Sequence, residues 1–180
     1  MTRAELEHAI RAACDVAGED EVVVFGSQAI LAQYPDAPAA LRQSMEADIA
    51  PCSGDPAAAD RIDAVLGEDS RFHATHGFYV HGLTVEAASL PRGWERRVRR
   101  IQTAGTLYRT GRCVEAHDLA ASKLAAFREK DRAFVRTLVA EGLIRVNKLK
   151  LRVSQLERPE SERERIARWI DATVRDLAQS

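Results

Sequence analysis

Cysteine is scarce and poorly spaced for any framework. Cys14, Cys52 and Cys113 are odd in number, far apart and fit no zinc-ligand pattern. That sets aside a disulfide scaffold and a zinc ribbon and leaves three reduced thiols. Long apolar runs are missing too: no stretch approaches the length of a membrane span, so no membrane partner is expected. Net charge is almost absent, with 26 Lys plus Arg against 27 Asp plus Glu, so any affinity for nucleic acid has to come from local patches. The five histidines, His8, His73, His76, His81 and His117, are scattered. No metal site built on imidazole is expected from them. There is no internal repeat and no low-complexity stretch. The chain opens with Thr2-Arg3-Ala4-Glu5, a helix capping box where a secreted protein would carry a signal peptide, and the expectation is a cytoplasmic protein.

What the chain does have is size and patterning. Its 180 residues, 46% of them hydrophobic, suffice for one domain or for a compact core with a small helical lobe. Periodicity predicts a helix over 3–17, a strand over 21–25, a helix over 27–34, a strand over 45–50, a helix over 56–66, and strands near 72–81 and 83–89. The remainder reads as mostly helical, with segments near 115–128, 131–141, 144–156 and 160–178 punctuated by Gly142 and Pro159. The fold class is α+β: a mixed sheet core flanked by helices, followed by a C-terminal helical region. We divide it as 1–112 and 113–180, allowing that the two pack as one compact domain.

Two local patterns carry chemistry. In the first, the apolar run Val22-Val23-Val24-Phe25 ends in Gly26-Ser27, where a buried strand turns into a segment of helical composition. Gly26 lacks the Cβ that blocks close backbone approach, and Ser27 adds a hydroxyl beside free amides, which suits phosphate as well as a plain capped turn. In the second, Glu46-Ala47-Asp48-Ile49 on a strand points both carboxylates to one face and Ala47 and Ile49 to the other. Two ionised neighbours repel unless a cation lies between them, and a hard cation such as Mg²⁺ resolves the conflict; a solvated acidic face is the simpler alternative.

A third segment, Glu115-Ala116-His117-Asp118-Leu119 through Lys123-Leu124 to Phe127-Arg128-Glu129-Lys130-Asp131, has helical spacing. Leu119, Leu124 and Phe127 line an apolar stripe beside Lys123, from which its ammonium can reach out of the core edge; the alternative is an amphipathic helix with solvated charges. Asp118 near the helix start suits capping and the helix dipole. A fourth segment clusters Arg92, Arg96, Arg97, Arg99 and Arg100 around Trp94, with Arg109 and Arg112 following. That composition fits a phosphate backbone and an unstacked base, and equally a solvated turn with Trp94 packed inward.

The Gly26-Ser27 turn with Glu46-x-Asp48 resembles the Gly-Ser and Asp-x-Asp signature of the nucleotidyltransferase superfamily, with Glu as the first acid. The block from Asp118-Leu119 through Lys123-Leu124 and Arg128 to Lys130-Asp131 is similar to one in the toxin-like branch containing the AbiEii and MenT nucleotidyltransferases. Gly77-Phe78-Tyr79-Val80, Leu90-Pro91-Arg92-Gly93-Trp94 and Arg97 also resemble that branch. The resemblance implies a nucleotidyltransferase-like fold. It implies Glu46 and Asp48 as ligands of Mg²⁺ (Mn²⁺ as an alternative), and Gly26, Ser27, Lys123 and Arg128 as contacts of a nucleoside triphosphate. Asp48, Lys123 and Asp131 become the catalytic residues, although Asp131 also suits an ion pair with Arg128. The implied acceptor is the 3′ end of tRNA, with Arg92, Trp94, Arg96, Arg97, Arg99 and Arg100 as RNA contacts, a pyrimidine triphosphate as donor and a cognate antitoxin as partner. Transfer to a protein hydroxyl, or a nucleotide- or antitoxin-binding module without turnover, are the other two readings. A third carboxylate from a later strand is common in the superfamily, and Glu86 is the candidate.

Overall fold

The computed structural model describes residues 1–179; Ser180, the last residue of the expected helical region, lies outside them. The chain divides into two units, one made of Met1–Ala88 with Arg97–Glu115 and the other of Ser89–Arg96 with Ala116–Ser180.

The first unit is built on a five-stranded mixed sheet. Its strands are β1 (Glu21–Phe25), β2 (Glu46–Pro51), β3 (Tyr79–Gly82), β4 (Arg99–Ile101) and β5 (Thr110–Cys113), in the order β3-β2-β1-β5-β4. The β-branched run Val22–Val24 with Phe25 is buried along its length because β1 is the central strand, parallel to β5 and antiparallel to β2. Alternation governs β2: Ala47 and Ile49 are fully buried while Glu46 and Asp48 are half-buried on the other face. Helix α1 (Arg3–Ala17) packs across β1, β2 and β5, and α2 (Pro56–Leu66) packs on β3 and on α1. The capping box forms as the sequence predicts, Thr2 Oγ1 accepting from the Glu5 amide and Glu5 Oε2 from the Thr2 amide.

Three expected elements differ. The segment expected as a strand from residue 72 begins as a short helix, α3 (Arg71–His76). Ser70 Oγ caps it by accepting from the His73 amide, Gly77 closes it in the left-handed region, and Phe72 packs edge-on against His8 and Phe78. The expected strand over 83–89 is a single 3₁₀ turn, Val85–Ala87. Leu83 makes one more bond to the Ile49 carbonyl, and β2 then ends at Pro51, whose nitrogen has no proton to offer the ladder. The helix expected over 27–34 is likewise a 3₁₀ segment, Ser27–Ala32. Strands β4 and β5 carry no alternating apolar pattern and were not expected.

The second unit is helical: α4 (Ala116–Ala126), α5 (Glu129–Ala140), α6 (Val146–Ser154) and α7 (Glu160–Leu177). Helix α4 lies at its centre, against the other three. Solvated charges, one of the two readings the spacing left open for α4, do not hold, because most of the helix is buried. Asp118, fully buried, pairs with Arg152 of α6 at 3.1 Å, and His117 Nε2 accepts from the Arg145 amide at 2.9 Å. A buried pair of this kind is costly to break, because removing one partner strands the other's charge. Among the described residues, no helix is long and apolar enough to cross a membrane.

Helix α2 meets β3 at Gly82, where a Cβ would lie 2.2 Å from the Ala59 carbonyl oxygen and 2.5 Å from the Asp63 nitrogen, both helix backbone. Gly82→Ala should therefore cost about 2 kcal/mol or more in urea unfolding. Gly54→Ala, at an open left-handed position, should cost only about 1 kcal/mol. Equal losses would mean that the α2–β3 contact yields freely.

Candidate functional site

The Gly-Ser turn and the carboxylate strand meet because β1 and β2 are antiparallel neighbours with Phe25 opposite Asp48. Gly26 follows at once with φ 64° and ψ −169°, a conformation essentially closed to residues with a Cβ. A Cβ at Gly26 would lie 1.8 Å from Asp48 Oδ2, so the Asp48 carboxylate lies directly against the Gly26 backbone. Glycine is thus required there twice, by conformation and by space. Gln28, fully buried, reinforces the arrangement by donating from Nε2 to the Ser44 carbonyl at 3.2 Å, which ties the turn to the residues leading into β2.

Across the sheet, β3 runs parallel to β2 and sets Tyr79 opposite Glu46 and His81 opposite Asp48. His81 Nδ1 lies 2.9 Å from Glu46 Oε1 and 3.4 Å from Asp48 Oδ1, and the Tyr79 hydroxyl reaches Glu46 Oε2 at 3.4 Å. Ligand atoms of Glu46, Asp48 and His81 all fall within 4.8 Å of one another. The three side chains keep 33%, 23% and 42% exposure in that order, so the group is open to a ligand.

Partial burial pushes the Glu46 carboxyl up. Hydrogen bonds with Asp48, His81 and Tyr79, together with the charge of His81, outweigh that and hold it below the usual carboxylate range. The Tyr79 hydroxyl is pushed up to about 12, first by desolvation and then by Glu46, so it stays a donor. A hydrogen bond between two carboxyl groups needs a proton on one of them, and a divalent cation satisfies the same pair without that proton. Adjacent ligands of a Mg²⁺ or Mn²⁺ ion with bonds of about 2.1 Å lie about 3.0 Å apart, close to the 2.9 and 3.4 Å that separate His81 Nδ1 from the two carboxylates.

A family model described as "Nucleotidyltransferase of unknown function (DUF6036)" matches residues 4–172. The chain belongs to this nucleotidyltransferase family. No curated protein and no solved structure matches it. Nucleotidyltransferases generally use nucleoside triphosphates and divalent cations, and Glu46, Asp48 and His81 form a group that could hold a cation.

The other residues singled out from sequence are distributed as follows. Glu86 is exposed in its 3₁₀ turn and bonds to its own backbone and to Thr84, apart from the carboxylate pair. Its place beside Asp48 is taken by His81, which sequence reading passed over because period and register, not spacing along the chain, bring it there. Lys123, Arg128 and Asp131 do come together, within the helical unit. The chain turns at Phe127, in the left-handed region at φ 55°, and Arg128 is the N-cap of α5, so Asp131 folds back onto α4. Asp131, 1% exposed, accepts from Arg128 Nε at 2.7 Å and lies 3.5 Å from Lys123 Nζ, which also rests 4.7 Å above the Phe134 ring.

The arginine-rich stretch is split between the units. Arg92, Trp94 and Arg96 belong with the helices, while Arg97, Arg99 and Arg100 belong with the sheet. Arg99 and Arg100 are exposed on the edge strand β4, Arg100 pairing with Glu21 at 3.2 Å, and Trp94 is half-buried in a short turn. Arg109 pairs with Asp15 and Asp20.

Burial pushes the Asp131 carboxyl up, but the hydrogen bond and charge of Arg128 and the charge of Lys123 outweigh it and hold it below the ordinary range. Its stabilising effect is therefore fully present above about pH 3.9, the ordinary Asp value, and is lost as pH falls through the lower value of the folded protein. Asp131→Asn should lower unfolding stability at pH 7 by about 1 to 3 kcal/mol, the Arg128 side being screened by water at 62% exposure. The gap from wild type should close below about pH 3.9. Urea unfolding across a pH series measures this, and a gap unchanged at pH 3 would contradict the assignment.

Proposed function

We propose that the chain is a Mg²⁺-dependent nucleotidyltransferase, with Mn²⁺ as an alternative ion, that adds nucleotides from a nucleoside triphosphate to the 3′ end of tRNA and so blocks translation. The observation that carries the reading is the Asp48 carboxylate held against the Gly26 backbone beside Glu46, in a chain of a nucleotidyltransferase family. It joins a phosphate-compatible turn to a cation-compatible pair in one small volume. The resemblance of the Lys123 to Asp131 block to the AbiEii and MenT branch supports the toxin role, the pyrimidine donor, a cytoplasmic site of action and a cognate antitoxin.

The residues take these roles in the proposal. Glu46 and Asp48 hold the cation, which when bound neutralises charge at the α-phosphate and orients it. Gly26 lets the triphosphate approach the backbone, and Ser27 with its neighbouring amides contacts the outer phosphates. The oxygen of an acceptor hydroxyl forms a bond to the α-phosphorus, and the bond from that phosphorus to the α–β bridging oxygen breaks. The hydroxyl proton passes to water, and pyrophosphate leaves. Lys123 and Arg128 enter on the resemblance, as cations for the phosphates, and Asp131 as the acid that holds both side chains in place. Exposed Arg92, Arg96, Arg99 and Arg100, with Arg97 and Trp94, are the proposed RNA contacts; with a net charge of −1, such local patches are what an RNA partner would engage.

The test is incubation of purified protein with Mg²⁺, each α-labelled nucleoside triphosphate in turn and total tRNA, followed by denaturing gels. Label should appear on tRNA, most strongly from a pyrimidine donor, and should fall at least about 100-fold in Asp48→Ala. Label on protein alone would move the acceptor to a protein hydroxyl. No label with triphosphate binding retained would make the chain a binding module.

A further inference from the structure

We infer that His81 is a third protein ligand of the cation held by Glu46 and Asp48, and that its nitrogen shifts the site's preference from Mg²⁺ toward a first-row transition ion such as Mn²⁺. This rests on the reading of Glu46 and Asp48 as a cation site. Three observations carry it. Parallel pairing of β2 with β3 sets His81 directly opposite Asp48, so the imidazole rises from the same face as the carboxylates and does not reach it by a chance rotamer. Nδ1 then lies 2.9 Å from one carboxylate oxygen and 3.4 Å from another. Neighbouring ligands of an octahedral ion with bonds of about 2.1 Å are about 3.0 Å apart, so these separations already approximate two edges of such an octahedron.

The third observation is the chemistry of the set. A superfamily site made of carboxylates alone presents only oxygen, which suits Mg²⁺. Here the acid candidate of the later strand, Glu86, is exposed in its own turn, and an imidazole stands in the group instead. Imidazole nitrogen binds transition ions more strongly than it binds Mg²⁺, and Mn²⁺ is the member of that series that also accepts two carboxylates readily. Tyr79 supports the arrangement as a positioning residue: its hydroxyl reaches Glu46 Oε2 at 3.4 Å, and its ring packs 4.9 Å from that of His73, which restrains the carboxylate from swinging away.

The experiment is pulsed electron paramagnetic resonance of Mn²⁺ bound to the full chain with a non-hydrolysable triphosphate, using protein grown with ordinary or ¹⁵N-ring-labelled histidine. A nitrogen coupling that changes with the histidine isotope, and that disappears in His81→Gln, is the expected result. Mn²⁺ affinity in that variant should fall about tenfold or more, and His81→Asp should restore binding with the preference moved back toward Mg²⁺. The isotope arm uses the wild-type protein, so it does not depend on a variant folding. Mn²⁺ bound in a manner that Asp48→Ala abolishes, but with no histidine coupling, would overturn the inference and leave the nucleotidyl-transfer reading standing. Mn²⁺ binding that is absent, or indifferent to Asp48→Ala, would overturn both.

Discussion

The first unit is organised around one contact, the Asp48 carboxylate against the bare backbone of Gly26. It exists because the central strand β1 leaves the sheet through a conformation that only glycine tolerates, at the level where its antiparallel neighbour presents an acidic side chain. Everything else in the group follows from strand pairing. Period-two alternation on β2 puts Glu46 beside Asp48, and the register of β3 adds Tyr79 and His81 on the same face. A hydrophobic sheet interior thus fixes the position of a polar cluster at its edge, with the buried faces of β1 and β2 supplying the rigidity that flexible side chains lack.

The helical unit shows the opposite balance. Its polar groups serve the packing of their own helices: Asp118 with Arg152, His117 with the Arg145 amide, and Asp131 with Arg128 and Lys123. The last of these is the group that resembles the family block, and it has a structural role that stands without any ligand. A phosphate reaching Lys123 or Arg128 would have to share these cations with Asp131. That sharing holds both side chains in place before a ligand arrives, at the cost of part of their charge.

Much of the fold was legible because its elements obey simple periods. The α1 capping box, the buried run of β1, the Pro-started α2 and the helix between Gly142 and Pro159 follow from local residues alone. The failures have physical causes. Residues 83–89 alternate like a strand but meet a neighbour that ends in proline. Phe72 and Val80 fall within one segment expected as a strand, whose first part Ser70 and Gly77 cap as a helix. In β5, Gly111 and Arg112 weaken any strand signal, and the segment is held by β1 and by Ile10 of α1, both distant in sequence. For the candidate site, the turn at Gly26 and the shared face of Glu46 and Asp48 were readable from residue type and spacing. His81 was not, because it lies far along the chain and only the β2–β3 register brings it to Asp48.

The claim on which the account rests is that Gly26 admits the Asp48 carboxylate and thereby shapes a cation-dependent triphosphate site. Titration calorimetry of a non-hydrolysable nucleoside triphosphate, with and without divalent cation, on the wild type and on Gly26→Ala tests it directly, with circular dichroism confirming that both are folded. The account predicts cation-dependent binding in the wild type, weakened at least about tenfold when a Cβ displaces Asp48. Equal affinity of a folded Gly26→Ala variant would contradict it.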